Sequence, residues 1–452
     1  MQDYDLVVIG SGSGLDVANA VAQHGKRVAI IEKDRMGGTC LNRGCIPSKL
    51  LIHSADVAET IRTAGAFGIK VDGFSVDFEF IVSRSNRIVD TDSDGIMNAF
   101  AEIDNPKLYH GECKFAGEKI LKVNGQTIKG QKILIASGTR PKIPQIPGLA
   151  ASGYITSDEA LRLKVQPKVL TILGGGYIAA ELAHFFGALG TKVNIIQRRD
   201  VLVPSEDEEV SSKFTEIISR KNRCYLGHAT ESVSKKGGKF RVMAKNSSGK
   251  LAEIESDQLL VAVGRTPNSD TLDLAATGVE TDPKGFVKVD QFLETTAKGI
   301  FALGDAVGRY LFKHAANHEA QYAYNNIIHD KGKSPVDYTA MPHAVFASPQ
   351  IAGVGHTEQE LKKNGIQYEK AVYPYIKTAM GEAIEDKEGF VKFLATKQGK
   401  ILGCHIIGSH ASILIHEVLI AMKLGAGMDQ IARTIHIHPA LSEVVSRAAS
   451  SL

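Results

Sequence analysis

One constraint on the fold occurs twice. The stretch "YDLVVIGSGSGLDVANAVAQHGKRVAIIEK", residues 4–33, runs from an apolar strand ending at Ile9 through Gly10, Gly12 and Gly14 into a helix, then into a second strand closing on Glu32. Glycine at such a turn lets the chain fold back tightly and lets backbone amides approach a pyrophosphate at the helix N-terminus. Glu32, 22 residues after Gly10, stands where a carboxylate accepts from ribose hydroxyls. "PKVLTILGGGYIAAELAHFFGALGTKVNIIQRR", residues 167–199, repeats the pattern with Gly174, Gly176 and Ala179. Two such units predict two bound dinucleotides and an α/β chain with two Rossmann-like domains.

The copies differ at two informative places. The third fingerprint position, where a small residue lets helix and sheet pack closely, is Ala179 in the second copy but Leu15 in the first. The first helix is therefore expected to sit slightly farther from its sheet. After its closing strand the second copy has Gln197 in place of an acid, followed by Arg198 and Arg199. An arginine there accommodates a 2′-phosphate, so NADP is tolerated on this reading; solvated loop charges are the alternative.

Three further apolar runs end in glycine turns: "ILIASGTRP" with Gly138, "LLVAVGRTPN" with Gly264, and "GIFALGDAVG". Asp305, directly after Gly304, is placed either to accept from a cofactor hydroxyl or to serve as a polar loop residue. These junctions suggest a discontinuous first domain, residues 1–147 and 270–336, with a second nucleotide-binding domain, 148–269, inserted in it. The proline-rich "PKIPQIPGL" marks the crossing. From 337 to 452 the texture changes to strand-like "AVFASPQIAGVG" and "FVKFLATKQGKILGCHIIG", then helical "ILIHEVLIAMKLG" and "SEVVSRAASS". This predicts an α+β module without a nucleotide of its own, suited to assembly and to completing a site.

A chain of 452 residues, 43% hydrophobic, has ample material for such cores. Five cysteines are too few for a disulfide scaffold and point to a reducing, cytoplasmic compartment. The N-terminus enters a strand without the basic start of a signal peptide, and no uncharged apolar run reaches the roughly 18 residues needed to span a bilayer. A formal charge of +3 without long blocks of one sign leaves no nucleic-acid footprint. No membrane or nucleic-acid partner and no metal site are expected.

"GGTCLNRGCIPSK", residues 37–49, sets Cys40 and Cys45 five apart. On an undistorted helix such positions lie about 140° apart around the axis and about 7.5 Å along it, so their Cα atoms are about 8.7 Å apart. A disulfide bridges roughly 7 Å at most. The pair suits neither a relaxed bridge nor the CxxC of a zinc knuckle or thioredoxin, unless Gly37, Gly38, Gly44 and Pro47 bend the backbone.

With the two fingerprints, "ALGDA" and "HIHPALSE" (residues 436–443), this cysteine segment resembles the flavoprotein disulfide reductases. That group contains dihydrolipoamide dehydrogenase, glutathione reductase, mycothione reductase and mercuric reductase. The resemblance covers essentially the whole chain. It implies FAD at the first fingerprint and NAD, with NADP as the alternative, at the second. Cys45 would be the thiol beside the flavin, Cys40 the exchanging thiol, and His438 a base oriented by Glu443. Lys49 would pair with Glu181 beside the nicotinamide, and Tyr177 would cover the empty nicotinamide pocket or be a core tyrosine. The resemblance also implies a homodimer joined through the C-terminal module, each site combining Cys40 and Cys45 of one chain with His438 and Glu443 of the other. "IARTIHIHPALSE" and "ILGCHIIG" are most similar to dihydrolipoamide dehydrogenase, whereas "FKHAANHEAQ" and "HPAL" are similar to mycothione reductase. The last ten residues lack the cysteine pair of mercuric reductase. The expected activity is oxidation of a free or protein-bound dihydrolipoyl dithiol with NAD. The alternative is NADPH-dependent reduction of a low-molecular-weight thiol disulfide, which Gln197, Arg198 and Arg199 favour. Cys113, Cys224 and Cys404 are expected to be buried small residues.

Overall fold

The computed structural model describes residues 1–329 and 332–452. The chain forms two units, each assembled from three stretches: Met1–Leu50, Phe80–Lys142 and Gly264–Asp337 in the first; Leu51–Glu79, Ile143–Val263 and Tyr338–Leu452 in the second.

In the first unit the last four residues of the strand Gln2–Ile9, Leu6–Ile9, are covered on both faces, which is why they read as an unbroken apolar run. Leu6 and Val8 pack with Val17, Ala18 and Val21 of the helix Gly14–Gln23 and with Ala320, Ala323 and Ile327 of the helix Lys313–Ile328. Val7 and Ile9 face the other way, as the two-residue strand period requires, into a cluster with Phe115, Leu121 and Leu272. The strand order is Lys107–His110, Val28–Glu32, Gln2–Ile9, Gln126–Ile135, Ile120–Val123, Cys113–Gly117. The first four strands are parallel, with Val7 opposite Ala29 on one side and Ile133 on the other. The short strand Ile300–Ala302 pairs in parallel with Ile133–Ile135, the end of the ten-residue strand Gln126–Ile135.

The second unit holds the other nucleotide fold: a parallel sheet ordered Arg223–Tyr225, Lys192–Ile196, Val169–Leu173, Gln258–Val261, with the helix Tyr177–Ala188 following its central strand. The antiparallel strands His228–Lys236, Lys239–Asn246 and Leu251–Ser256 are inserted before the last strand. The C-terminal part is an antiparallel sheet ordered Pro342–Val345, Gln350–Gly355, Ile401–Gly408, Phe390–Ala395, Glu369–Pro374. The helices Ala411–Lys423 and Glu443–Ala449 bury Ile415, Val418, Val444 and Val445 in the same core as Val354, Phe393 and Ile406. Fully burying each such side chain contributes about 1.5–3 kcal/mol. The α/β architecture read from the sequence, two Rossmann-like units and an α+β C-terminal part, is therefore present. The sequence pattern missed the strand Glu369–Pro374, because a single residue of it, Ala371, is buried and no apolar alternation marks it. No described helix is long and apolar enough to cross a membrane.

Candidate active site

At the first fingerprint Gly10 has φ +102°, and a Cβ there would lie 2.3 Å from the Ala136 carbonyl oxygen. Only glycine permits this approach of the turn to the neighbouring strand. Gly174 repeats it in the second unit, with φ +111° and 2.3 Å to the Ala262 oxygen. The expectation attached to Leu15 needs correction. Close packing falls on Gly14, where a Cβ would meet Val8 Cγ1 at 2.8 Å and Ala136 Cβ at 2.9 Å. The helix begins at Gly14, so its first residue, rather than the next, faces the sheet.

Glu32 Oε2 accepts from the Ser11 amide and hydroxyl at 2.9 and 2.8 Å, and Oε1 accepts from the Asp34 amide at 2.9 Å. A carboxylate has about four lone-pair sites, so capacity remains for a ribose hydroxyl. Asp305 Oδ2 accepts from the Thr139 hydroxyl at 2.7 Å, with Arg265 Nε 3.9 Å away. Gly138 and Gly264 bound the short antiparallel pair Thr139–Pro141 and Arg265–Pro267 beside it. Ser137, whose Cα lies 3.5 Å from a Cβ built on Gly10, has a buried hydroxyl with no partner among the described residues. An orphaned donor at the turn, open space before Gly12 and two carboxylates with spare lone pairs fit an FAD.

The cysteine segment is fastened to this turn. The Gly37 amide donates to Ser11 Oγ at 3.0 Å, and a Cβ on Gly38 would lie 2.7 Å from Gly12 Cα. The backbone does bend between the thiols: the helix Gly38–Arg43 stops at Gly44 (φ −141°, ψ −118°) and a new helix, Cys45–Thr63, starts at the second cysteine. A Cβ on Gly44 would meet the Thr39 carbonyl at 2.9 Å and Cys40 Cα at 3.2 Å. That glycine folds Cys45 back onto Cys40. The two cysteine side chains are in hydrogen-bonding contact. Hydrogen bonding to Cys45, then burial and the charge of Cys45, push the Cys40 thiol far up, while Lys313 pulls it down. Lys313 Nζ also donates to Ser13 Oγ at 2.9 Å. Sequence reasoning missed this cation, since its segment was singled out only for similarity to mycothione reductase. Lys49 lies one turn into the second helix and donates to Ser48 Oγ at 3.3 Å. Burial is the first cause raising each remaining thiol, Cys113 to about 12, which suits structural thiols; Cys224 is only partly buried.

In the second unit Gly176 caps the helix Tyr177–Ala188, and Ala179 is 1% exposed, so this copy packs as the fingerprint requires. Gln197 turns its side chain onto its own loop, accepting from the Arg198 amide at 2.9 Å and donating to the Val201 carbonyl at 3.4 Å. Arg198 and Arg199 are exposed. Glu181 Oε1 accepts from the Phe346 amide at 3.1 Å, and the Tyr177 hydroxyl donates to Glu206, contacts the sequence did not suggest. His438 Nδ1 lies 3.1 and 3.2 Å from the two Glu443 oxygens. Glu443 is the first residue of its helix, where the macrodipole favours a carboxylate. Its hydrogen bond to His438 holds it below the usual carboxylate range. The His438 side chain is 71% exposed against 12% for Glu443, a ring anchored at one nitrogen and open at the other. Cys40, Cys45 and Lys49 lie in the first unit; Glu181, His438 and Glu443 lie in the second.

Residues 4–321 match the pyridine nucleotide-disulphide oxidoreductase family, and residues 341–449 match its dimerisation domain. Mycothione reductase of Mycobacterium tuberculosis is 36% identical over 462 residues, covering 99% of both chains. The mitochondrial dihydrolipoyl dehydrogenase of Dictyostelium discoideum is also 36% identical, over 99% of this chain and 94% of its own. The solved Cu(II) complex of the HOCl-induced flavoprotein disulfide reductase RclA from Escherichia coli superposes with a TM-score of 0.89 at 28% identity, covering 100% of this chain and 99% of that one.

Proposed function

The chain belongs to the pyridine nucleotide-disulphide oxidoreductases, enzymes that use FAD and a nicotinamide nucleotide, and from that premise we propose that it oxidises a dihydrolipoyl dithiol, free or protein-bound, with NAD. The observation that carries the reading is the folded-back Cys40–Cys45 pair, held against the first fingerprint, in a chain that also contains an anchored, outward-facing histidine.

In the proposed cycle one substrate thiolate attacks Cys40 sulfur. The Cys40–Cys45 bond breaks and Cys45 leaves as a thiolate. His438 then takes the proton of the second substrate thiol, whose sulfur attacks the mixed disulfide and releases Cys40. The product is the cyclic substrate disulfide, and two electrons remain on the enzyme dithiol. Cys45, the thiol that the resemblance places beside the flavin, would carry the negative charge of the reduced pair, and Cys40 would exchange with the substrate. Bound FAD supplies the two-electron path from that dithiol to NAD. Glu443 orients His438 and stabilises its protonated form. Lys49 and Glu181 are the proposed ion pair beside the nicotinamide. Gly10, Gly12, Glu32, Gly138 and Asp305 hold the flavin nucleotide, and Gly174, Gly176, Tyr177, Gln197, Arg198 and Gly264 serve the nicotinamide side. In this reading the enzyme is a cytoplasmic homodimer, supported by the dimerisation-domain match, with His438 and Glu443 supplied to the thiols of the partner chain.

A second reading, NADPH-dependent reduction of a small thiol disulfide, is favoured by one observation: no carboxylate stands at Gln197, and two exposed arginines follow it. Steady-state assays with dihydrolipoamide and with low-molecular-weight disulfides, each with both nucleotides, decide between them. A kcat/KM for a thiol disulfide with NADPH exceeding that for dihydrolipoamide with NAD would overturn the first reading.

A further inference from the structure

We propose that buried Glu206 and half-buried His343 form a clamp that holds the Tyr177 ring inward, clear of the route by which a dinucleotide settles on the second fingerprint. They would thus be positioning residues for nucleotide binding. The proposal rests on the reading that this fingerprint holds the nicotinamide nucleotide.

Tyr177 is the first residue of the helix Tyr177–Ala188, immediately after the Gly174–Gly176 turn, so it stands at the helix end that would receive a pyrophosphate. A side chain there can project over the ligand or fold back into the protein. Here it folds back: its hydroxyl donates to Glu206 Oε1 and is in hydrogen-bonding contact with Ser205. The ring lies parallel to the His343 imidazole, with centroids 6.4 Å apart and planes 7° apart. Glu206 is 1% exposed, and its second oxygen, Oε2, lies 2.9 Å from His343 Nε2. Burial opposes its charge, but His343 and Tyr177 hold its carboxyl below the usual range, so both oxygens act as acceptors.

The clamp is itself braced. His343 is opposite Gly353 in the C-terminal sheet, and a Cβ on Gly353 would strike its ring at 2.6 Å and lie 3.0 Å from Nδ1 of buried His405. On the other side, the Val203 amide donates to the Gly175 carbonyl at 2.6 Å, and the Glu206 amide to the Val203 carbonyl at 3.0 Å. The turn that carries Glu206 is thereby tied to the fingerprint itself. Two residues far apart in sequence, Glu206 and His343, converge on one side chain at the start of the nucleotide-binding helix, and a buried carboxylate is maintained to receive its hydroxyl. A core that needed only packing at this position would be served by phenylalanine without a buried charge.

The test measures nucleotide binding, not turnover. Isothermal titration of oxidised, FAD-loaded enzyme with NAD and with NADP gives Kd for the wild type, Glu206→Gln, Tyr177→Ala and the double variant. A neutral amide accepts from a phenol more weakly than a carboxylate, so Glu206→Gln should raise Kd by about tenfold, about 1.4 kcal/mol. In the Tyr177→Ala background the same substitution should leave Kd unchanged, because no ring remains to be released. Tyr177→Phe, which deletes the hydroxyl and keeps Glu206, should reproduce the rise and guards against misfolding of the Gln variant. An equal rise with and without Tyr177, or no rise in any variant, overturns the clamp. A wild type that binds neither nucleotide overturns the underlying assignment of the fingerprint.

Discussion

Lys392→Met should destabilise the protein by about 3 kcal/mol. Lys392 is fully buried, with Nζ 2.7 Å from Asp207 Oδ1, 2.5 Å from Glu358 Oε2 and 3.4 Å from Glu209 Oε2. Methionine is similar in length, so the change is chiefly the loss of a buried charge. Breaking a buried ion pair costs about 3–5 kcal/mol, because the remaining charge is left uncompensated. Here the lower figure applies. Asp207 keeps the amides of Glu209 and Glu358 as donors, and Glu358 keeps Lys362 at 2.9 Å and the Tyr368 hydroxyl at 2.8 Å. Urea denaturation followed by far-UV circular dichroism reads the loss; with m of about 3 kcal/mol/M, the midpoint falls by about 1 M.

The pH dependence supplies the sign. In the wild type, burial pushes both carboxyls up, but His405 and Lys392 at Asp207, and Lys392, Lys362 and Tyr368 at Glu358, hold them below their ordinary values. Their contribution is present above the unfolded values of about 3.9 and 4.3 and is lost as pH falls below them. In the variant, burial works without Lys392 against it and the carboxyls titrate higher. The penalty is then full at pH 8 and shrinks as pH falls toward 5. A midpoint within about 0.2 M of the wild type at pH 8, or a deficit that grows on acidification, would refute the reasoning.

Other expectations concern chemistry and assembly. Cys40→Ser should show a long-wavelength absorption band in the FAD-loaded enzyme without added reductant, whereas Cys45→Ser should lack it even after reduction; the reverse pattern reassigns the two thiols. Gln197→Glu should shift the ratio of kcat/KM values toward NAD(H) by about tenfold, and an unchanged ratio would show that this side chain does not meet the ribose. Mixing Cys45→Ser chains with His438→Ala chains, each inactive alone, should give heterodimers with about half the wild-type activity, since one of two equivalent sites carries neither lesion. Background turnover in heterodimers of verified composition would mean that His438 serves its own chain.

What the sequence made legible was mostly local. The run from Gly10 to Glu32 and its copy from Gly174 to Gln197 are read within one βαβ unit, where spacing and chemistry suffice. The breakers around Cys40 and Cys45 were also visible, and Gly44 is the one that parts the two helices. The misassignment at Leu15 arose because the fingerprint fixes a spacing but not the residue on which a particular helix starts. The Glu206 contacts to Tyr177 and His343 span 29 and 137 residues, and no periodic pattern encodes contacts at such separations. Lys313 reaches Ser13 across 300 residues for the same reason. A buried carboxylate reads in sequence like any loop acid; only the packed structure distinguishes Glu206 and Asp207 from exposed Glu208.

The pairing of Ile300–Ala302 with Ile133–Ile135 also sets a schedule for synthesis. The strand Gln126–Ile135 is finished early, yet the flank at its C-terminal end waits for residues made 167 positions later, from 133 to 300. At about 5–20 residues per second that interval is roughly 8–33 s. Throughout it, Ile133, Leu134 and Ile135, all fully buried in the finished protein, present an apolar strand edge of the kind that recruits other chains. The ribosome emits the whole of residues 143–263 during the wait, so the first sheet closes only after most of another unit has been made. Release of nascent chains ending before residue 300 would leave that edge uncovered, and such fragments are the ones expected to engage chaperones or aggregate.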